Sequence, residues 1–475
     1  MARGTFLYGF GPFELDPHKR WLTWEGTRVQ LADSYFGVLL ELVSRAPDVV
    51  SRRALSIAGW GSDVNENSIE QAVSHLRKSL GVNGATKLIE TVWGQGYRLM
   101  VEVHRLEVHD RDLTAAGVDE PLRRFLRGRH AVTTLNRLEI SAARSDIEQM
   151  IRHQPHHAPA YVELAAACAL LCEASFIETA YDLEALTCAI DSARQATLLE
   201  PESGEAWSTR GFVLYLAGHP ESARLAAYKG VMFDEGNWRN HLLLSRVSWG
   251  EERIKAAKRA LLLRPDLALG YWLQATVLIA RGALEAALIL LRAGCIAQDQ
   301  QQRVAAAYPA VGLHLLRGLV LLALNQLEEA EREFECELRD PDSCQLYARQ
   351  CAANTWHALG SVYLRRGDHD RATAAFRKAL HTGPGHFKSM AALMLPIPDL
   401  PADDPRGAEV AVARALAFAR AGRHHEAART YRDAIASAPY DDAGWLLPVE
   451  PILQAQLRPE IWGEVLALIR ERASS

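Results

Sequence analysis

The pattern of apolar and polar positions divides the chain into two parts near residue 103. In the first part, three short runs with alternating or aromatic character are separated by turn residues, which is typical of strands. These runs are FGPFELDP, RWLTWEG and TRVQLAD. Apolar residues then recur at helical spacing in SYFGVLLELVSRA, so we predict a helix over 34–46 and a shorter one over 51–59. Residues 1–103 are therefore expected to form an α+β domain.

The stretch NENSIEQAVSHLRKSLG, residues 65–81, has the pattern of one amphipathic helix. Its apolar positions follow at intervals of four, three and four residues and form one stripe that faces a core. They are Ile69, Val73, Leu76 and Leu80. Ser68 and Gln71 have the spacing of a capping box and Gly81 is a stop signal, so the pattern predicts a helix over 68–80.

The polar face of this helix is rich in hydrogen-bond donors and poor in acids. Its one carboxylate between the cap and the stop is Glu70, in the first turn, where it suits the helix dipole. The major groove of DNA is lined by acceptors and flanked by phosphates, so a donor-rich face fits it. The segment LIETVWGQGYRL, residues 88–99, follows as two strands around a glycine-rich tip. The donors are Gln71, Ser74, His75 and Lys78, with Arg77 alongside.

The second part begins after a polar segment, 104–121, which we interpret as a linker, and is helical over most of 122–475. Its clearest unit is NTWHALGSVYLRRGDHDRATAAFRKALHTGP, residues 354–384. This unit resembles the tetratricopeptide (TPR) signature, in which small residues let the two helices of a pair approach and large ones fill the gaps between pairs. Gly360 and Ala372 are the small residues, and Trp356, Tyr363 and Phe376 are the large ones.

The same register recurs with more variation elsewhere in the second part. Counting these recurrences predicts about six to eight repeats, stacked into a superhelix with a concave groove. The whole chain is therefore predicted to be mainly α. Four further units each have one clear marker residue, and these are Trp207, Ala275, Gly318 and Tyr431.

Composition narrows the class of protein. The chain has 49% hydrophobic and 23% charged residues and a net charge of −5, the balance of a soluble globular protein without a global basic field. There is no signal-peptide pattern, and apolar runs such as 312–324 are too short to span a bilayer. The seven cysteines are odd in number and form no CxxC pair, which favours reduced thiols in a cytoplasmic protein.

The motifs of common enzymes and metal sites are missing from the sequence. It contains no P-loop, HExxH, GxSxG or dinucleotide fingerprint, so we predict no enzyme and no cofactor. The histidine clusters at 153–157 and 422–428 fall at predicted helix ends or turns. Cys168 and Cys172 are two thiols on one helix, too few for a metal site. We therefore also predict no metal.

Segments of residues 8–99 resemble the winged-helix DNA-binding domain of the OmpR/PhoB type. The most specific pieces are the Leu-Arg-Lys-x-Leu-Gly that ends the helix and the Gly-x-Gly-Tyr-Arg of the hairpin. The resemblance implies a four-stranded N-terminal sheet and three helices, with helix 68–80 in the major groove and a wing over 91–97 near the minor groove. The DNA-facing residues that it implies are Asn67, Gln71, Ser74, His75, Arg77, Lys78, Thr91 and Trp93.

Two departures from this family bear on affinity. Ala72, Ser74 and Trp93 stand where relatives usually carry basic residues, and residues 1–103 contain eleven Lys and Arg against eleven Asp and Glu. Since phosphate contacts supply most of the affinity for DNA, one copy should bind weakly. We therefore expect two or more copies to bind side by side as a homo-oligomer.

The order of a winged helix followed by TPR repeats resembles HilA-like regulators and cytoplasmic relatives of CadC and ToxR. It implies a bacterial transcriptional regulator that binds double-stranded DNA. Its TPR region would bind a protein, a peptide or a small ligand, or hold protomers together, and no membrane is involved. The alternative is a TPR interaction scaffold whose winged helix docks protein rather than DNA.

Overall fold

In a computed structural model, the chain divides into two compact units, Met1–Val118 and Asp119–Ser475. Each unit is described by itself below. The structure describes residues 6–10, 13–16, 21–24, 27–29, 31–62, 64–80, 88–92, 94–101, 103–107, 120–178, 180–303, 308–339, 344–400, 406–438 and 442–474.

Two antiparallel sheets frame the first unit. The first has five strands in the order β4-β3-β2-β1-β8, and the second has three in the order β5-β7-β6. The strands are β1 Phe6–Phe10, β2 Phe13–Asp16, β3 Trp21–Trp24, β4 Thr27–Val29, β5 Val50–Ser51, β6 Ile89–Val92, β7 Gly96–Leu99 and β8 Val103–Glu107.

The fifth strand of the first sheet differs from the sequence expectation of four strands. Strand β8 pairs with β1 from Phe6↔Glu107 to Phe10↔Val103. Most of β8 lies in 104–121. This segment was predicted as a linker because its polar residues show no strong alternation. Its partner strand provides the hydrogen bonds, so backbone pairing rather than side-chain pattern creates this strand.

Three helices complete the first unit: α1 Asp33–Ser44, α2 Arg52–Trp60 and α3 Glu66–Leu80. Their apolar faces share one core with both sheets. The prediction of a mainly helical chain with an α+β N-terminal unit is confirmed. Members of this core that are almost fully buried include Phe10, Leu15, Leu22, Phe36, Leu39, Leu42, Leu55, Val73, Leu76 and Ile89.

Helix α3 begins two residues earlier than predicted, and its cap is Asn65 rather than Ser68. The Asn65 side-chain oxygen accepts a hydrogen bond from the Ser68 backbone N–H at 3.0 Å and another from the Ser68 hydroxyl at 2.8 Å. Asparagine is a strong N-cap because its oxygen satisfies one of the first helical N–H groups. The sequence prediction placed the cap at Ser68, three residues too late, because Ser68 and Gln71 have the spacing of a capping box.

The longer elements of the second unit are all α-helices. Its first helices are α4 Glu120–Thr134, α5 Arg137–His153, α6 Ala158–Ala174, α7 Leu183–Leu199, α8 Gly204–Leu216, α9 Pro220–Phe233, α10 Trp238–Val247, α11 Gly250–Leu263 and α12 Ala268–Ala280. The remaining helices are α13 Leu284–Arg303, α14 Leu313–Ala323, α15 Leu327–Glu337, α16 Ala348–Arg365, α17 His369–Thr382, α18 Phe387–Ala392, α19 Gly407–Arg420, α20 His424–Ser437 and α21 Pro459–Ser474.

Glycine–phenylalanine contacts explain why helices of this unit pack in pairs. A Cβ atom added to Gly360 on α16 would lie 2.6 Å from Cε1 of Phe376 on α17. The same contact recurs at Gly318 on α14, where an added Cβ would lie 2.4 Å from Cε1 of Phe334 on α15. Both phenylalanines are buried. A glycine opposite a large ring thus sets the close approach within each pair. The sequence predicted this role for Gly360, whereas Phe376 was expected to fill the gap between pairs.

The thiols of the second unit differ in burial. All seven cysteines are free, and Cys168, Cys172 and Cys295 are buried. Cys168 and Cys172 do not face a common partner: the Cys168 sulfur lies 2.7 Å from that of Cys188, whereas the Cys172 thiol donates to the Tyr181 hydroxyl oxygen at 2.9 Å. The two thiols therefore contact different partners.

Within the described residues, one helical stretch, Ala158–Ile177, is long and apolar enough to cross a membrane by length and composition alone. In its most apolar 18-residue window, 72% is buried. A mostly buried core helix also passes this test.

Candidate nucleic-acid interface

One exposed stripe runs along α3 on the side away from the core. Asn67, Gln71, Ser74 and Lys78 are all exposed and follow at intervals of four, three and four residues. The opposite stripe of α3 is at most 3% exposed. The stripe offers two amides, a hydroxyl and an ammonium group, which are the groups that donate to base edges and phosphates.

His75 stands beside this stripe and is held in place by two neighbours. Its ring lies 4.9 Å from that of Tyr35 on α1, and its Nδ1 lies 3.4 Å from the Ser79 hydroxyl. The imidazole is exposed. The sequence pattern placed His75 on the polar face, and the contact with Tyr35 shows how the ring is oriented there.

Arg77 has a different environment from the one predicted. Its Nε and Nη2 atoms donate to the Ile89 carbonyl oxygen at 3.0 and 2.9 Å, and Nη2 also donates to the Thr91 hydroxyl at 2.9 Å. The structure therefore brings together Arg77 and Thr91, two of the residues predicted to face DNA. Their described contacts join α3 to strand β6, so Arg77 positions the hairpin relative to the helix.

We expect Arg77→Ala to loosen this hairpin and to lower DNA affinity about tenfold, because a hydrogen bond from a charged donor contributes about 1.5–3 kcal/mol. Hydrogen exchange of the backbone amides in β6 should become faster in the variant, and anisotropy titration should report the affinity. Lys78→Ala is the matched control, since it changes affinity without changing exchange in β6. Unchanged exchange in Arg77→Ala would show that the guanidinium does not hold the hairpin.

The other edge of the hairpin is fixed by a two-residue strand that the sequence did not predict. Val50 pairs with Tyr97 and Ser51 pairs with Gly96. Gly96 has φ +149°, and an added Cβ would lie 2.0 Å from the Val50 carbonyl oxygen. Glycine is required here because the two backbones lie too close for any side chain. Trp93, at the predicted tip, lies outside the described residues.

Charge near the hairpin is mostly compensated within the unit. Arg98 lies 2.6 Å from Glu90 across β6 and β7, and Arg45 on the chain after α1 lies 2.7 Å from Glu41. These pairs are consistent with the equal numbers of basic and acidic residues in 1–103. The interface therefore presents hydrogen-bond donors more than a strong positive field.

Comparison with known proteins identifies the class to which these units belong. The family "Transcriptional regulatory protein, C terminal" matches residues 26–99, and the family "Tetratricopeptide repeat" matches residues 353–381. The N-terminal unit thus belongs to the OmpR/PhoB-type winged-helix DNA-binding domains, which are regulatory rather than catalytic, and a TPR region follows it. The matched range contains all of α1, α2, α3 and the β6–β7 hairpin.

Individual relatives have regulatory names. The response regulator protein PmrA of Pseudomonas aeruginosa is 40% identical over 89 residues, which are 18% of this chain and 38% of PmrA. The transcriptional regulator HilA of Salmonella typhimurium is 35% identical over 72 residues, which are 15% of this chain and 13% of HilA. The chain therefore spans less than two fifths of either relative.

Two solved structures are similar to parts of this chain. The C-terminal DNA-binding domain of RstA from Klebsiella pneumoniae is 31% identical and covers 20% of this chain and 89% of that domain, with a TM-score of 0.18. A human IFIT1 dimer with m7Gppp-AAAA is 13% identical over 67% of this chain and 72% of that chain, with a TM-score of 0.46.

Proposed function

We propose that the chain is a transcriptional regulator that inserts α3 into the major groove of promoter DNA and places the β6–β7 hairpin near the minor groove. The exposed stripe Asn67, Gln71, Ser74 and Lys78 carries this proposal, because it lies opposite the buried stripe of α3 and contains no acid. His75 flanks the stripe, and Thr91 and Trp93 are assigned to the hairpin side of the interface. The regulatory names of PmrA and HilA agree with this function.

Different residues of the stripe are expected to contact phosphates and bases. Lys78 supplies a point charge suited to a phosphate, whereas the Gln71 amide can both donate and accept, as recognition of adenine requires. Ser74 and Asn67 lie above and below Gln71 on the same stripe. Changes at Lys78 should therefore lower affinity for all sequences, and changes at Gln71 should change the preference among them.

We expect DNA affinity of the full chain to fall steeply with added salt, and the salt slope of Lys78→Ala to be smaller by about one. Gln71→Ala should keep the parental slope and lose about 1–3 kcal/mol of discrimination against a mismatched site. Anisotropy titrations over a salt series, on the chain's own upstream DNA and on a scrambled sequence, measure both quantities.

The salt series also separates DNA binding from the scaffold alternative, which the neutral charge of residues 1–103 favours. A scaffold whose winged helix docks protein would show no salt-dependent DNA binding. It would also be indifferent to Gln71→Ala on any DNA sequence.

The TPR region is proposed to bind a second copy of the chain or a regulatory partner, so that two DNA-binding units act together. Four large apolar side chains on the second helices of successive pairs are more than half exposed. A contiguous exposed apolar patch marks a protein contact, and these side chains are the candidates for one. The side chains are Leu198 on α7, Met232 on α9, Leu262 on α11 and Ile296 on α13.

We expect the full chain to self-associate and Met232→Glu with Leu262→Glu to be monomeric, because a buried unpaired carboxylate costs more than the contact contributes. Light scattering behind size-exclusion chromatography gives the mass directly. DNA affinity of the variant should fall as well, since linked copies add their contacts through effective concentration. A monomeric parent chain would contradict self-association and leave a partner protein as the occupant.

The proposed location is the cytoplasm, where the DNA is. The apolar stretch Ala158–Ile177 supports this location because other parts of the second unit cover most of it.

A further inference from the structure

Three successive helices of the second unit bring a thiol, an imidazole and a carboxylate together. They are Cys295 on α13, His314 on α14 and Glu333 on α15, and one ligand atom of each lies within 4.8 Å of the others. Cys295 is 3% exposed, His314 is 6% exposed and the Glu333 side chain is 13% exposed. Among the described residues, this is the one group of such side chains at metal-binding separations.

A second carboxylate, on the same helix as the thiol, contacts the other ring nitrogen of His314. Asp299 follows Cys295 by one helical turn, and its Oδ1 lies 3.3 Å from His314 Nε2. On the other side of the ring, His314 Nδ1 lies 2.8 Å from Glu333 Oε2, while Glu333 Oε1 lies 2.6 Å from the Arg317 guanidinium. Both edges of the imidazole therefore face carboxylates, and Arg317 orients one of them.

The packing of a helix pair does not require these polar groups. Gly318 and Phe334 correspond to Gly360 and Phe376 of the next repeat, which sets the register between the two. In that register His314 and Glu333 occupy the places of Trp356 and Ala375. The corresponding residues of that repeat are thus apolar. Two ionisable groups in their place call for a role beyond packing.

Thiolate, imidazole and carboxylate are the ligands that zinc prefers in proteins, and three of them leave the fourth position of the ion to water. We propose that Cys295, His314 and Glu333 bind a divalent transition-metal ion of the zinc class, with water as the fourth ligand. Asp299 would hold the ring nitrogen of His314 that faces away from Glu333. The ion would join α13 of one helix pair to α14 and α15 of the next. Arg317 would remain on the outer oxygen of Glu333 as a positioning residue.

A surface cavity reaches one of these ligands, the Glu333 carboxylate. A cavity of about 520 Å³ is lined by eight residues that include Arg317 and Glu333, so it reaches the carboxylate side of the cluster. A buried site needs such a route for the ion to enter. The sequence alone predicted no metal site because the ligands come from three helices and form no short motif.

The histidine clusters at 153–157 and 422–428 have environments different from that of His314. His157 caps α6 by accepting from the Ala160 N–H at 3.1 Å, and both ring nitrogens of His424 lie within 3.1 Å of an Arg458 guanidinium nitrogen. A helix cap and an arginine contact compete with metal binding. These clusters are therefore the histidine sites with which the proposed metal site is compared.

The test uses the full chain after treatment with a chelator, titrated with Co²⁺ as a spectroscopic probe and with Zn²⁺ in competition with a coloured chelator. We expect one ion per chain and an absorption band from thiolate-to-cobalt charge transfer. Cys295→Ser should lose the band and weaken Zn²⁺ binding at least about tenfold. Glu333→Gln should keep the band and weaken binding. Cys336→Ser is the matched control, because Cys336 is a half-buried thiol on α15. This variant should behave as the parent.

Three results would overturn the proposal: no saturable binding by the parent, a cobalt spectrum without the thiolate band, or a parental band and affinity in Cys295→Ser. Parental affinity in Glu333→Gln would overturn the three-ligand assignment. Circular dichroism of each chelator-treated variant shows whether the helices are retained. A variant that has lost them is replaced by Cys295→Ala, for which the same losses are expected.

Discussion

Gly96→Ala is expected to abolish DNA binding by the full chain and to destabilise the first unit by about 3 kcal/mol. A Cβ at this position would lie 2.0 Å from the Val50 carbonyl oxygen and 3.0 Å from Ser51 Cα, and φ is +149°. Backbone atoms cannot move aside as a flexible side chain can, so the pairing of β5 with β7 must break. The hairpin would then lose the strand that fixes it beside α3.

Gly94→Ala is the matched control for this change. Gly94 is in the same hairpin with φ +74°, but an added Cβ would have nothing within 4 Å. Its cost is limited to the left-handed backbone, about 1 kcal/mol. Thermal unfolding of the first unit and anisotropy titration should therefore show a large loss at Gly96 and a small one at Gly94. Equal effects at the two glycines would contradict the close approach of β5 and β7.

Gly360→Ala is expected to destabilise the second unit, whereas Gly463→Ala should stabilise it. Both glycines are helical, so alanine contributes about 0.5–1 kcal/mol through helix propensity at either position. At Gly360 the added Cβ would lie 2.6 Å from the Phe376 ring, and overpacking costs about 1–3 kcal/mol. At Gly463 on α21 an added Cβ would have nothing within 4 Å.

The midpoint of urea unfolding measures both changes, and a second substitution assigns the cause. Phe376→Leu reduces the ring that fills the space opposite Gly360, so it should make Gly360→Ala less costly in the double variant than alone. A Gly360→Ala protein as stable as the parent would contradict the contact that we assign to the TPR register.

The sequence allowed the stripe of α3 to be predicted because one helix carries all of it. Spacing alone places Gln71, Ser74 and Lys78 opposite Val73 and Leu76, and the structure has these side chains exposed and buried as that spacing requires. Helical periodicity is a local property. The two faces of α3 could therefore be predicted without knowing the rest of the fold.

The contacts of Arg77 could not be predicted in the same way. Periodicity puts Arg77 at the margin of the polar face, but its hydrogen bonds reach the Ile89 carbonyl and Thr91 across a separate hairpin. Strand β8 was missed for a related reason, since its pairing with β1 joins the two ends of the unit. The Cys295, His314 and Glu333 cluster likewise depends on how three helices pack. Each of these features is set by tertiary contacts between distant segments.

The exposed stripe of α3 is proposed to read a DNA sequence. This is tested by incubating the full chain with fragmented genomic DNA, sequencing the DNA that is retained, and repeating the measurement with Gln71→Ala. We expect one enriched motif for the parent chain and a changed base preference within that motif for the variant. Retention without any motif, or the same motif with the same preferences in Gln71→Ala, would contradict the proposal.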